Sequence, residues 1–262
     1  MELGISGKTA LVTGASRGIG LAIAQTLAAE GVRVVGAART VTPELEKVAA
    51  AAFAVDLGTR EGAQSVVEQA LDAVGGLDFL VNNVGGGDVA GMALGGLLDV
   101  GDEQWVQTFD LNFFSALRTT RAALPSILER RGAIVNISSI NARIPAGAPA
   151  GYAEAKAALT SFGKRLSEEV APRGVRVNTV SPGLTASPLW TDPERFGGAV
   201  AAVSGLDHAD LIAALPAQFG VASGRFSESE EVADLVAFLL SDRAANIHGA
   251  DYVIDGGTLK AA

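Results

Sequence analysis

The sequence predicts an α/β fold, a doubly wound parallel sheet of seven strands with helices on both faces. Short, apolar, β-branched runs alternate with longer segments of helical spacing, which is the signature of repeated βαβ units. Those runs have the apolar character that strands covered on both faces require. The strands are expected, in order, at Thr9 to Thr13, Arg33 to Ala37, Ala52 to Val55, Phe79 to Val84, Ala133 to Ser138, Arg176 to Ser181 and Tyr252 to Asp255. Helical segments fill most of the gaps. The longest, Asp102 to Arg130 and Pro149 to Pro172, carry small residues (Ala122, Ala123, Ala153, Ala155, Ala157, Ala158) that allow close packing. Two stretches read as irregular, the glycine-rich Gly85 to Gly101 and Pro182 to Ser227. Loops of that length in a compact domain are usually functional or mobile.

At 262 residues the chain is expected to form a single domain over its whole length. Its net charge of -9 disfavours attraction to nucleic acid or anionic lipid, so a small molecule is the expected partner. With no cysteine and only His208 and His248 as imidazoles, disulfides, thiolate chemistry and a metal centre are not expected. Neither a targeting segment nor an apolar run of membrane-spanning length is present, which gives a cytoplasmic expectation.

The most informative segment is Thr13-Gly14-Ala15-Ser16-Arg17-Gly18-Ile19-Gly20, between an apolar strand and the helix opening Leu21-Ala22-Ile23. In that context glycines serve a nucleotide-binding turn: Gly14 for the tight turn, Gly18 for backbone approach to a pyrophosphate, Gly20 for helix–strand packing. The helix N-terminus adds unpaired N–H groups and partial positive charge. A purely steric strand-to-helix turn is the plain alternative. The spacing is Gly-x-x-x-Gly-x-Gly rather than the general Gly-x-Gly-x-x-Gly. It resembles the Thr-Gly-x-x-x-Gly-x-Gly signature of the short-chain dehydrogenase/reductase family, specifically the compact subgroup of about this length that includes 3-oxoacyl-carrier-protein reductases, and so a Rossmann-type sheet.

After the second strand, where an NAD-preferring protein carries an acid for the ribose 2′-OH, the sequence reads Ala37-Ala38-Arg39. Arg39 and Arg17 offer planar, multi-donor cations for a 2′-phosphate, so NADP(H) is the expected cofactor and NAD(H) the runner-up. The resemblance implies further cofactor contacts at Ser16, Ile19, Asp56 (adenine amino group) and Leu57. It also implies contacts at Asn83 and Gly85 of Asn82-Asn83-Val84-Gly85, where the family has Asn-Asn-Ala-Gly. Pro182, Gly183, Thr185 and Ser187 fall in a turn that resembles the family's Pro-Gly turn, with serine at 187 where threonine is usual. Read without the family, Asp56 is a helix cap.

Tyr152-Ala153-Glu154-Ala155-Lys156 places a phenol and an ammonium at i and i+4, on one helix face. Proton transfer to a carbonyl oxygen needs a group whose pKa lies near the working pH, and a nearby cation lowers that of tyrosine. Alone, such a pair is most often an amphipathic surface. Here it follows the strand ending Ile137-Ser138-Ser139, and the resemblance places the family's serine thirteen residues before the tyrosine, at Ser139. Ser139 is expected to orient the substrate oxygen, Tyr152 to exchange the proton, and Lys156 to tune it and hold the nicotinamide ribose. Ser138, on the other face of the strand, is expected to bond backbone. Asn112 matches the family's fourth catalytic residue, whose backbone helps hold a water leading to the lysine; without the family it is a polar helix residue.

Leu189, Trp190, Phe196, Leu206, Leu211 and Phe219 suggest an apolar substrate lid over about 184–227, or equally the packing of that segment onto the body. The expected activity is hydride exchange between NADP(H) and a carbonyl/alcohol pair, as a ketone reductase on a fairly hydrophobic substrate. Arg130, Arg131 and Arg173 keep a carrier-protein substrate as an alternative. The resemblance also implies a homotetramer, or failing that a dimer, through the last strand and the two long helices. A non-catalytic NADP(H) sensor is the rival from another class, and the Tyr/Lys pair counts against it. Lys156 and the glycine turn count against a halohydrin dehalogenase, the glycine spacing against an extended epimerase, and the isolated histidines against a Ser/His/Asp hydrolase.

Overall fold

The computed structural model describes residues 2–86 and 97–260. Most of the predicted Gly85 to Gly101 loop therefore lies outside the described residues. The strands are β1 (Thr9–Thr13), β2 (Arg33–Ala38), β3 (Ala51–Ala54), β4 (Phe79–Asn82), β5 (Ala133–Ile137), β6 (Arg176–Pro182), β7 (Thr185–Ala186), β8 (Ser227–Glu228) and β9 (Asp251–Ile254). The helices are α1 (Gly18–Ala29), α2 (Pro43–Glu46), α3 (Arg60–Val74), α4 (Asp102–Phe109), α5 (Ser115–Arg130), α6 (Tyr152–Val170), α7 (Pro188–Thr191), α8 (Phe196–Ser204), α9 (His208–Gln218) and α10 (Ser229–Leu240).

The main sheet has seven strands in the order β3-β2-β1-β4-β5-β6-β9, and all its neighbours are parallel. This is the doubly wound order, whose direction reverses between β1 and β4 and leaves a crevice at the carboxyl ends of those strands. The strand runs are apolar because both faces are covered. One layer of core packs α1 and α10 under Val12, Val34 and Val81, and the other packs α3, α5 and α6 over Leu11, Leu80 and Ile134.

Two predicted boundaries move for physical reasons. β4 ends at Asn82 rather than Val84, because the Asn83 amide turns to donate to the carbonyls of Thr13 (3.0 Å) and Gly14 (3.2 Å). The helix expected from Pro149 begins at Tyr152, after Gly151 at φ 78°. Asp102 to Arg130 is helical throughout, but residues Asp110–Phe114 form a π-helical turn, a feature that often marks functional sites.

The stretch from Pro182 to Ser227 corrects the expectation of an irregular loop. It holds α7, α8, α9 and a two-stranded β7–β8 ladder around its own small core of Leu184, Ala201, Leu211, Leu215 and Val221. Single-sequence periodicity missed these helices because they are short and interrupted by Gly205 and Pro216. No single helix among the described residues is long and apolar enough to cross a membrane.

Candidate active site

At the carboxyl end of β1 the chain turns sharply. Gly14 and Gly18 have φ of +67° and +53°, a region that favours glycine. Gly20 is fixed by close approach instead, since a Cβ there would lie 2.1 Å from the Gly14 carbonyl oxygen. The Ser16 hydroxyl donates to the Thr40 carbonyl, and the Thr42 hydroxyl donates to the Ser16 carbonyl at 3.1 Å. The turn is thereby tied to the segment after β2. Ile19 is half-buried against the core.

A dinucleotide's phosphates fit this cradle on chemical grounds. β2 ends at Ala38 with no carboxylate, and Arg39 follows. Neither the Arg17 nor the Arg39 side chain makes a hydrogen bond or ion pair among the described residues. Partial burial, then the like charges of Arg195 and Arg39, push the Arg17 guanidinium below its ordinary value. Two guanidinium groups without a side-chain partner, beside the N-terminal turn of α1, suit an anion. Beyond β3, Asp56 Oδ1 accepts from the Gly58 N–H at 2.9 Å, while Thr59, not Asp56, caps α3 through the Gly62 N–H. The reading of Asp56 as that helix's cap is thus corrected. The Leu57 side chain is buried in the core, which leaves its backbone for any contact.

Across the switch point, α6 carries Tyr152 and Lys156 towards β5. Lys156 is 2% exposed, its Nζ donates to the Ile137 carbonyl at 2.8 Å, and it stands 5.9 Å from the centre of the Tyr152 ring. Ser138 behaves as expected of a backbone-bonding hydroxyl, with Oγ donating to the Lys156 carbonyl at 3.1 Å and 2.7 Å from Thr160 Oγ1. That contact locks the lysine's own turn. Ser139, extended just past the end of β5, lies beside the Tyr152 phenol, close enough to lower it.

The electrostatics differ from the sequence expectation in one respect. Burial raises the Tyr152 phenol, and the neighbouring Ser139 hydroxyl offsets part of that rise. Burial also lowers Lys156 to about 8. For both groups the loss of water is the leading cause, and it favours the neutral form of each. A phenol so placed keeps its proton at neutral pH.

Asn112 sits in the π-helical turn. Its Nδ2 donates to the carbonyls of Gly86 (3.0 Å) and Thr108 (2.9 Å), and its Oδ1 accepts from the Gly86 N–H at 2.8 Å. The side chain thus clamps the strand that leaves β4 against the helix. At Gly85 a Cβ would fall 2.6 Å from Lys156 Nζ and 3.0 Å from Asn112 Oδ1, so a larger residue would push the lysine head from its place.

Pro182 ends β6, and Gly183 lies against Asp255, where a Cβ would be 2.7 Å from the aspartate Cβ. Ser187 meets the phosphate turn from above: a Cβ on Gly18 would be 3.1 Å from Ser187 Cβ. The Thr185 hydroxyl is buried and donates to the Gly183 carbonyl at 3.2 Å. Ser187 is therefore the better placed of the two.

Of the expected lid residues, Leu211 is buried in the lid's own core, Trp190 packs on that core, and Leu206 and Phe219 are exposed. Trp190 and Phe196 meet edge-to-face with ring centres 5.0 Å apart. His208 Nε2 lies 2.8 Å from the Trp190 carbonyl oxygen, so this histidine braces α7 against α9. No group of three or more metal-ligating side chains converges among the described residues.

Sequence reasoning missed Asn141, whose Oδ1 accepts from Ser139 Oγ at 3.1 Å and whose backbone N–H donates back to that Oγ at 3.1 Å. A serine followed two residues later by asparagine is an available signal for such a turn. It also missed Asp192 and Arg195, paired at 2.8 Å within electrostatic reach of Arg17, for which no sequence motif exists.

Comparison with known proteins agrees with this geometry. Residues 14–258 match a family described as enoyl-(acyl carrier protein) reductase. The chain is 37% identical to 3-oxoacyl-[acyl-carrier-protein] reductase FabG of Escherichia coli, over 97% of this chain and 98% of that one. It is 33% identical to L-xylulose reductase of Bos taurus, over 99% of each chain. Among solved structures, L-sorbose reductase from Gluconobacter frateurii, complexed with NADPH and L-sorbose, superposes with a TM-score of 0.90 at 35% identity over 100% of each chain. On this fold, this constellation and these likenesses, the chain belongs to the short-chain dehydrogenase/reductase family of oxidoreductases.

Proposed function

We infer that this protein is an NADP(H)-dependent ketoreductase. The observation that carries the reading is the meeting of Ser139, Tyr152 and Lys156 at the carboxyl end of β5, with a buried phenol beside a serine hydroxyl. NADP(H), when bound, supplies or accepts the hydride. Gly14, Gly18 and Gly20 with the first turn of α1 hold its phosphates, Arg17 and Arg39 its 2′-phosphate, and Lys156 its nicotinamide ribose. Ser139, held by the Asn141 N–H, turns its hydroxyl proton from Asn141 Oδ1 to the carbonyl oxygen of the substrate. Tyr152 gives that oxygen its proton, and its raised pKa keeps the phenol protonated for that role at neutral pH. Asn112 fixes the strand that borders the site.

The domain is a single catalytic unit with residues 184–227 as its substrate lid. The Trp190–Phe196 pair supports an apolar surface over a ketone. The subunits form a homotetramer, or failing that a dimer, and two features support this: β9 is a half-buried edge strand, and Trp105, Phe109 and Phe113 line one helix face beside Val106, which is 59% exposed. The location is cytoplasmic.

Oxidation of NADPH followed over a panel of ketones tests the reading. Tyr152→Phe is expected to lose at least about a thousandfold in kcat, in the range of a removed proton donor, and full turnover by that variant would overturn the assignment. A carrier-protein substrate has its own supporting observation. Arg131 and Arg173 line one open depression of about 350 Å³, whereas Arg130 turns away to Asp78. If that reading holds, Arg131→Glu with Arg173→Glu raises KM for a 3-oxoacyl carrier protein and leaves KM for a free ketone unchanged.

A further inference from the structure

The lid and the phosphate turn touch at one place. Ser187 and Pro188, which open α7, rest on Gly18: an added Cβ there would be 3.1 Å from Ser187 Cβ and 3.6 Å from Pro188 Cδ. One short helix later the chain makes a tight turn, with the Arg195 N–H donating to the Asp192 carbonyl at 3.0 Å and Arg195 Nε to Asp192 Oδ2 at 2.8 Å. Asp192 Oδ1 accepts from the Glu194 N–H at 3.0 Å. Within this turn only Nε of the guanidinium is used, and neither terminal nitrogen of Arg195 has a partner among the described residues.

Arg17, next to Gly18, senses Arg195 and Arg39 as like charges and Asp192 as its opposing one. Asp192 in turn is lowered by the Glu194 N–H, then by Arg195 and Arg17. Arg17 and Arg195 thus share the Asp192 carboxylate beside the phosphate turn, and Arg39 adds a further positive charge on the Arg17 side. Planar cations with free donors, held together and short of counter-charge, favour a doubly charged oxyanion over a carboxylate.

We propose that Arg195, carried by the lid, is a third guanidinium contact for a phosphate of the bound dinucleotide, and that the Asp192 carboxylate is the internal anion which this phosphate displaces. The inference rests on the NADP(H) reading above. It goes further in giving the lid a share in cofactor binding: Arg195 precedes Phe196, which packs on Trp190, so cofactor charge and the substrate roof are joined through one turn. Either the 2′-phosphate or the pyrophosphate supplies the same chemistry.

The test is calorimetric titration of the intact protein with NADP+, NAD+ and 2′-AMP, which needs no turnover. Arg195→Gln is expected to weaken NADP+ about tenfold, a step worth one decade of affinity, and Asp192→Asn to tighten it by severalfold. Loss confined to NADP+ and 2′-AMP assigns the contact to the 2′-phosphate, and equal loss with NAD+ assigns it to the pyrophosphate. Limited proteolysis of the lid adds a second readout: NADP+ is expected to protect residues 188–206 in the wild type and less in Arg195→Gln. Unchanged NADP+ affinity in Arg195→Gln, or weaker binding by Asp192→Asn, overturns the proposal while the functional reading stands. A wild-type protein that binds no nicotinamide dinucleotide overturns both.

Discussion

Lys156 shows how a single residue trades stability for chemistry. Its ammonium is buried with one backbone partner, and burial brings it from its ordinary 10.5 to about 8. Below pH 8 the folded protein must keep that charge out of water, at a cost of about 3 kcal/mol, set by the difference between those values at 1.36 kcal/mol per unit. Between pH 8 and 10.5 the folded state has shed a proton that the unfolded state retains, so stability rises with pH across that window. We expect Lys156→Met to be more stable than wild type at pH 7 by on the order of 1–2 kcal/mol, after deducting the lost hydrogen bond. Urea unfolding at pH 7 and pH 10 checks this, and the gap should close at the higher pH. The same titration should shape catalysis. kcat/KM for ketone reduction is expected to fall above pH of about 8, as Lys156 loses its charge, and Lys156→Arg should move that limb upward in a pH–rate profile.

At the scale of elements, the π-helical turn and the glycine turn are two supports of the same crevice. Asn112 satisfies both backbone groups of Gly86, so Asn112→Ala leaves a donor and an acceptor bare. A destabilisation of about 1–3 kcal/mol is expected from that change, together with a fall in kcat, measured by urea melts and initial rates on the same preparation. In the glycine turn, Gly20→Ala would drive a methyl to 2.1 Å from the Gly14 carbonyl oxygen, where backbone rather than a flexible side chain must yield. Loss of NADP+ binding in calorimetry, with a lowered melting temperature, is the expected result; wild-type affinity would show that α1 can shift away from β1 at little cost.

For the whole molecule, the doubly wound sheet brings to one edge groups that lie far apart in sequence. Arg17 follows β1, Asn83 follows β4, Ser139 follows β5, and Ser187 lies beyond β6, all at carboxyl ends. A ligand held by so many elements should stabilise the fold globally. Saturation with NADP+ at a hundred times its dissociation constant is expected to add about 2.7 kcal/mol to unfolding, and differential scanning fluorimetry should show the rise in melting temperature. Sedimentation tests the assembly, where a species of four times the 26.6 kDa chain is expected.

Much of this was legible in the residues themselves. The strand runs, the glycine turn, the missing acid after β2 and the Tyr/Lys spacing are local patterns, set by backbone sterics and by the helical and strand periods, and they determined the sheet, the cofactor class and the candidate proton donor. Boundaries at Asn83 and Tyr152 moved because hydrogen bonds from distant segments ended those elements. The helices of the lid, the Asn141 support of Ser139, the raised phenol and the pairing of Asp192 with Arg195 beside Arg17 were decided by tertiary structure alone. Each depends on desolvation or charge shared between segments that only the folded chain brings together, and no local pattern encodes that sum.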